Sequence, residues 1–509
     1  MSVEHGVVRT TGADHRYAVA GMGATGVGVF VALVRSLVAG GRAAGAEIHI
    51  FETKERLGAG VAYSTPHDCH LLNMRAATMS VHADDPDHFV RWLAGREDVS
   101  ASDAGEYVPR RLFAEYLQEF FGDALAEARQ RGIKVVTHKS VVSDCREDER
   151  GVHLIAGLDH FVFGRVFLCL GDLPSTEYLE FTKLPTYVHS MWQGAGLEAI
   201  GPDATVGILG TSLTAVDALL QLRTAGHRGA ITCFSRRRSL PKVQGPRVRH
   251  TLRHVTEANL RLLTGDFTRQ LEFTEVAELF RRELEDGLGI AIDWTRVLAR
   301  PKEMFTHTLA KDVELAEKGQ TLWYSILDAT SEIVPLVWRS MSPEARASFM
   351  TEHLSIWSMF RHCMPLDNAR RLLDMATDNA FTVASDLTSV SYDEDARAFR
   401  IEAGGAAHHV EWLVNATGTG FALDCSDSSL IQNLLMRGDI TPHPLGGIDV
   451  DFDTLRVVRR DGSLSARAHY IGPLTRGVHF YTNSFETNLA NAHSAVAAAL
   501  TRLDSPAAA

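Results

Sequence analysis

Cysteine is scarce in this chain. Six are scattered over 509 residues (Cys69, Cys145, Cys169, Cys233, Cys363 and Cys425), with no CxxC pair. That excludes a disulfide framework and a redox dithiol as organising features. Metal signatures are missing too: the 23 histidines show no HExxH or zinc-finger spacing, and the adjacent pairs Cys69-His70 and His362-Cys363 are poorly placed to share one ion. No metal site is expected. No run approaches the ~20 apolar residues of a membrane span, and the amino-terminal arm lacks the basic-then-apolar order of a secretory signal. A cytoplasmic protein with no membrane partner is the expectation. Positive charge is in deficit, 51 Lys and Arg against 63 Asp and Glu for a net −12, which opposes a nucleic-acid partner. Local basic clusters are therefore read as sites for small anions.

The chain does have the length for two or three domains, and its 45% hydrophobic and 22% charged residues are ordinary for a globular protein. It also carries two glycine fingerprints of dinucleotide binding, Gly21-Met22-Gly23-Ala24-Thr25-Gly26 and Gly210-Thr211-Ser212-Leu213-Thr214-Ala215. The first follows an apolar strand, Tyr17 to Ala20, and opens a helix from Val27 to Leu37. Gly21 makes the tight turn, Gly23 lets backbone N–H groups reach a pyrophosphate, and Gly26 lets helix and strand approach; the anion rests on the positive helix end. The next strand, Glu47 to Phe51, ends at Glu52. That carboxylate suits ribose hydroxyls and repels a 2′-phosphate, which favours FAD or NAD.

The second fingerprint has its strand at Thr205 to Leu209 and its helix from about Leu213 to Leu222. Its partner strand, Ala230 to Phe234, ends in Ser235-Arg236-Arg237-Arg238 instead of an acid. A hydroxyl and guanidinium groups at the ribose edge suit a 2′-phosphate and call for NADPH. Standing alone, the arginine run reads as a solvated loop; the upstream motif is what gives it meaning.

The polar arm to about Arg16 and the tail Ser505 to Ala509 read as unstructured. Between them an α/β fold is expected, with two Rossmann-like domains: a first FAD-binding part over 17–190, an NADPH-binding part over 191–250, a helical insertion over 251–378, an NADPH-domain return over 379–410, and a second FAD-binding part over 411–504. The return at 411 is read from Trp412-Leu413-Val414-Asn415-Ala416-Thr417-Gly418, which echoes Val166-Phe167-Leu168-Cys169-Leu170-Gly171. In the helical segment, Glu275–Leu284 and Glu352–Trp357 carry apolar residues at three-to-four spacing. Their apolar faces either close a small core of their own or cover the cleft between the nucleotides.

Several stretches resemble one family of two-dinucleotide FAD/NAD(P)-binding flavoproteins, whose characterised relatives include nitrosuccinate-forming aspartate N-monooxygenases. The carriers are Gly60-Val61-Ala62-Tyr63-Ser64, His70 to Ala76, Asp84-Asp85-Pro86-Asp87-His88-Phe89, Ser235-Arg236-Arg237, Arg361-His362 and Ile471 to Gly477. More broadly the chain is similar to class B flavin monooxygenases. The resemblance implies FAD, NADPH and O₂, a flavin C4a-hydroperoxide, and hydroxylation of a small amine or amino acid, aspartate-like among the options. It implies that Leu72-Asn73-Met74 approaches the flavin ring, that Gly171, Thr417, Gly418 and Gly472 lie along the nucleotides, and that a helix beginning near Thr487-Asn488-Leu489 points its N–H groups at the flavin. Asn73 and Asn488 are the candidates for catalytic contact, each with a turn- or helix-capping role as the alternative. Phe480 to Glu486 is unusually polar for a ring-facing segment.

Arg75 and Arg361 are the substrate candidates, with Arg110 and His362 beside them, because a guanidinium binds a carboxylate bidentately and a protonated imidazole can assist. For each, a structural ion pair is the competing role. His67, His70, His82 and His88 crowd one segment without a ligand pattern. An NADPH oxidase or electron-transfer reductase uses the same nucleotide sites, and a non-catalytic flavin-bound sensor is the reading from another class. The partners expected are a small molecule and O₂, with an oligomer compatible with the sequence.

Overall fold

The computed structural model describes residues 13–82, 85–99, 106–194, 196–236, 240–299 and 303–501. Residues 1–12, most of the expected amino-terminal arm, and the tail Ser505 to Ala509 lie outside them, as do Asp84, Arg237 and Arg238.

Two parallel sheets organise the chain. The first has the order Arg456–Val458, Leu464–Tyr470, Arg165–Leu168, Arg16–Ala20, Glu47–Phe51 and Lys134–His138. All its pairings are parallel except the outermost, between Arg456–Val458 and Leu464–Tyr470. The second has the order Phe381–Ala384, Ile231–Phe234, Val206–Leu209, Trp412–Asn415 and Tyr187–Val188, parallel throughout. Central strands such as Tyr17–Ala20 and Val206–Leu209 are buried along their whole length. Each parallel sheet is covered on both faces, by helices on one and by an antiparallel sheet on the other, which explains why these strands read as continuous apolar runs rather than alternating ones.

Each sheet carries the same elaboration. The antiparallel strands Val142–Asp148, Gly151–Ala156 and Asp159–Phe163 precede Arg165–Leu168 in the first unit. Leu387–Asp393, Ala398–Ala403 and Ala406–Val410 precede Trp412–Asn415 in the second. In both, the chain leaves the antiparallel sheet and enters the strand beside the fingerprint strand.

This topology corrects two expected boundaries. Tyr187–Val188 already belongs to the second sheet, so that unit begins before residue 191. Trp412–Asn415 lies in the second sheet, between Val206–Leu209 and Tyr187–Val188. Its likeness to Val166–Gly171 is that of equivalent strands in two repeated units, not a crossing back to the first. The chain rejoins the first unit later, where the helix Ser429–Arg437 places Leu430, Ile431 and Leu434 in the first core and Leu464–Tyr470 completes the sheet.

Helices dominate 257–377, but they do not form one separate insertion. Leu309, Val313 and Ala316 of Phe305–Glu317 and Leu372, Met375 and Ala376 of Leu366–Thr377 share a core with Val216 and Leu219 of the second unit. Phe273–Leu288, opened by a reciprocal Glu272/Glu275 capping box, packs instead with Val337, Trp338 and Met341.

Candidate functional site

The glycine turns show why glycine stands where it does. Gly21 has φ +90°, and a Cβ there would lie 2.2 Å from the Cys169 carbonyl oxygen. At Gly26 a Cβ would lie 2.2 Å from the Gly21 carbonyl oxygen. Gly23 precedes the helix Ala24–Ala39, in which Ala24, Thr25 and Gly26 form the first turn, and its Cα side faces Gly60, 3.3 Å from an added Cβ. The second turn repeats the first: Gly210 has φ +119°, and its Cβ would meet the Ala416 carbonyl oxygen at 2.5 Å. Ser212, which precedes the helix Leu213–Thr224, has φ −84° and ψ −169°, against −74° and −167° at Gly23. Any residue adopts that extended conformation, so serine fits where the first unit has glycine.

Glu52 sits at the first turn. One carboxylate oxygen accepts the Met22 N–H at 2.9 Å, and the other accepts those of Thr53 at 2.8 Å and Lys54 at 3.0 Å. At the second turn Thr211 is buried, and Ser235 is held by its backbone N–H to Ala384 at 3.0 Å. Arg236 is 79% exposed and 3.9 Å from Glu177, so its guanidinium is available at the strand end. Gly171, Gly418 and Gly472 have φ values of +77°, +105° and +134°, and nothing among the described residues lies within 4 Å of a Cβ added at any of them. Thr417 is exposed and its hydroxyl donates to Asn415 at 2.7 Å. Both turns fit a dinucleotide: a steric need for glycine, a helix N-terminus, and a ribose-edge side chain of opposite charge.

Some of the residues expected at the nucleotides also pack the core. The Leu72 side chain is buried in the first core, and Leu489 packs against Gly28 across the helix pair. The last long helix begins at Phe485, ahead of Thr487, and the Ser484 hydroxyl accepts the Thr487 N–H. Asn488 lies inside that helix, buried, its amide donating to the Thr482 carbonyl at 2.8 Å while its Oδ1 has no partner among the described residues. It fixes the turn that precedes the helix rather than capping it.

A cleft lies among the two units and the helices, lined by Asn73, Met74, Gln244, Tyr324, Asp328, Arg361, His362, Tyr481, Asn483 and Ser484. Asn73, Met74, Arg361 and His362, singled out from sequence, meet here with the polar segment around Tyr481 to Ser484. Arg361 is 6% exposed; its guanidinium lies over the Tyr481 ring at 4.8 Å, donates to Ser331, and stands 3.8 Å from Asp328. Arg247 binds the other oxygen of Asp328 at 2.8 Å. The Arg361 Nε has no partner among the described residues.

His362 stacks on Tyr481 with ring centroids 6.0 Å apart, and burial, with Arg361 and Arg476 nearby, lowers its pKa to about 4. It is therefore neutral at neutral pH, which corrects the expectation of a protonated imidazole. Burial pushes the Glu486 carboxyl, beside this cluster, up to about 7, with Asp328 adding to the shift.

Arg75 and Arg110 are not among the cleft-lining residues. Arg75 is held by the Tyr107 hydroxyl at 3.3 Å, the Gly245 carbonyl at 3.4 Å and Glu106 at 3.6 Å, and Arg110 pairs with Asp217. The four crowded histidines go to separate partners: His67 to Gln221, His70 to Thr65, His82 to Arg35 and His88 to Tyr116. Gln244, Tyr324 and Asp328 were not found from sequence, because they come from segments without a motif and meet the others only through folding.

A family model of FAD-NAD(P)-binding proteins matches residues 18–173. Among curated proteins, the uncharacterized protein YdhS of Escherichia coli (strain K12) is 27% identical over 220 residues, 40% of this chain and 39% of YdhS. The chain thus matches about two fifths of that relative's length. Among solved structures, the Kutzneria sp. 744 ornithine N-hydroxylase KtzI aligns with a TM-score of 0.56 at 13% identity, over 97% of this chain and 100% of that one. DfoA, the cadaverine monooxygenase of Erwinia amylovora, aligns at 0.54 and 10%, covering 96% and 94%. The bacillithiol disulfide reductase Bdr of Staphylococcus aureus aligns at 0.50 and 12%, covering 96% and 98%.

The fold is that of the two-dinucleotide flavoproteins. In this flavoprotein fold residues 18–173 are the FAD-NAD(P)-binding segment, built around Gly21 and Glu52, and the repeated unit around Gly210 is the second nucleotide fold. Among the described residues, no helix is long and apolar enough to cross a membrane, and no group of three or more His, Cys, Asp or Glu is arranged to hold a metal.

Proposed function

We propose that this flavoprotein is an FAD- and NADPH-dependent monooxygenase that N-hydroxylates a small amine or amino acid. FAD is assigned to the Gly21–Glu52 unit and NADPH to the Gly210–Arg236 unit; Arg237, part of the same expected phosphate site, lies outside the described residues. When bound, FAD supplies oxygen activation and NADPH the hydride. The balanced reaction is amine, O₂, NADPH and a proton giving hydroxylamine, NADP⁺ and water.

The observation that carries this reading is the cleft. Its lining is polar and includes no cysteine, and it brings together residues from both nucleotide units and the helices. The sequence has no CxxC pair, which counts against a disulfide oxidoreductase on this fold. Arg361, buried and with Nε unpartnered, is the group suited to a carboxylate. Asn73 and Met74 bring the first unit to the same cleft, and Asn488 holds the Tyr481–Ser484 wall in place through Thr482.

The test is NADPH consumption in air with a panel of amines, scoring hydroxylated product by mass spectrometry against peroxide released. Product in proportion to NADPH supports the reading. Peroxide in proportion to NADPH, with every amine, makes the protein an oxidase.

A further inference from the structure

Gln244 lies in the loop after the second nucleotide unit's Ser235 turn and is 3% exposed, yet it lines the cleft. Its Nε2 donates twice, to the Asn73 carbonyl at 2.9 Å and to the Cys363 carbonyl at 2.7 Å. Those two acceptors fix the orientation of the amide: a flip would set Oε1 against two carbonyl oxygens. Oε1 is thus a fixed acceptor, and it has no hydrogen-bond partner among the described residues. A buried carbonyl left in that state is costly, so the site is built for a donor.

The kind of acceptor matters. A carboxylate beside an amine holds it as an ammonium, whose nitrogen has no lone pair to form an N–O bond. An amide oxygen accepts one N–H of the neutral amine and leaves its lone pair free. The one carboxylate lining the cleft, Asp328, is engaged by Arg247 at 2.8 Å and faces Arg361. We infer that Gln244 is the specificity-determining residue for the substrate nitrogen, its Oε1 accepting an N–H of a neutral primary amine while the two carbonyls hold the amide still. This rests on the N-hydroxylation reading and adds the atom that recognises the nitrogen.

The test is equilibrium binding to the FAD-loaded protein by titration calorimetry, using compounds paired so that only one member carries an amino group: L-aspartate with succinate, 5-aminopentanoate with pentanoate, 6-aminohexanoate with hexanoate. At about pH 10, close to the amine's own pKa, so that the proton is lost to solvent before binding, at least one amine is expected to bind about tenfold tighter than its counterpart, the scale of one buried hydrogen bond. Gln244→Met should reduce that preference to within about twofold and leave the counterpart's affinity unchanged. Gln244→Glu, which keeps an acceptor but adds charge, should bind the amine at least as tightly while its turnover falls and its pH profile moves upward. A wild-type protein with no amine preference in any pair overturns the inference, and so does Gln244→Met weakening both members of a pair equally, which would leave only the bridge between Asn73 and Cys363. Failure of the monooxygenase reading is separate: it shows as peroxide without product whatever the binding data.

Discussion

The guanidinium of Arg110 donates to the carboxylate of Asp217 over 2.8 Å, with the two side chains only 15% and 5% exposed. Arg110 begins the helix Arg110–Gln130 of the first unit and also donates to the Leu71 carbonyl; Asp217 lies in the helix Leu213–Thr224 behind the second glycine turn. One buried pair therefore ties the loop leading to Asn73 to the second nucleotide unit. Removing one partner leaves the other charge buried without compensation. Asp217→Ala is expected to lower unfolding free energy by about 3 kcal/mol in urea titrations, with Asp217→Asn losing less.

The two glycine turns predict opposite sensitivities. Gly21→Ala drives a Cβ into the Cys169 carbonyl and should yield protein that purifies without flavin absorbance. Gly210→Ala meets the Ala416 carbonyl and should spare flavin content while raising the KM for NADPH at least about tenfold. Ser212→Gly, at an extended backbone position, should change that KM by less than about threefold. A Ser212 variant that lost NADPH binding would show that the hydroxyl is used.

Cofactor choice is expected to rest on Arg236. Its exposed guanidinium has only a 3.9 Å approach to Glu177 to lose. Arg236→Ala should raise the KM for NADPH about tenfold with little change for NADH. Equal changes for the two would place the 2′-phosphate elsewhere.

Stability should fall in mild acid. Burial lowers the pKa of His49, His70, His362 and His479 from 6.5 to about 4. The unfolded chain then binds more protons between those values, so stability is full above about pH 6.5 and declines as pH falls toward 4. Glu486, raised from 4.5 to about 7, acts in the opposite sense between those values. Asp172 and Asp217, raised from 3.8 to about 6, act with it; four histidines outweigh these three carboxyls, and stability should be lower at pH 5 than at pH 7 by urea denaturation. Replacing His70 with phenylalanine should flatten the curve, and Glu486→Gln should steepen it. A flat profile for the wild-type protein would mean that these histidines titrate normally.

The sequence by itself determined the parts whose chemistry is local. Gly21, Gly26 and Gly210 stand where a Cβ would strike backbone, and Glu52 and Arg236 end the strands that follow, so strand, turn, helix and ribose-edge residue were legible as units. The apolar strands announced a doubly covered parallel sheet for the same reason. The tertiary structure decided what depends on residues far apart in the chain. It moved Trp412–Asn415 into the second sheet, because equivalent strands in a repeated unit look alike and only hydrogen-bond partners distinguish them. It separated Arg361, which reaches the cleft, from Arg75 and Arg110, which are spent on Tyr107, Glu106 and Asp217; all three have the same side chain, and only their neighbours differ. It left His362 neutral, since burial rather than residue type sets its charge. And it brought Gln244 between two carbonyls from residues 73 and 363, a contact that no spacing along the chain encodes.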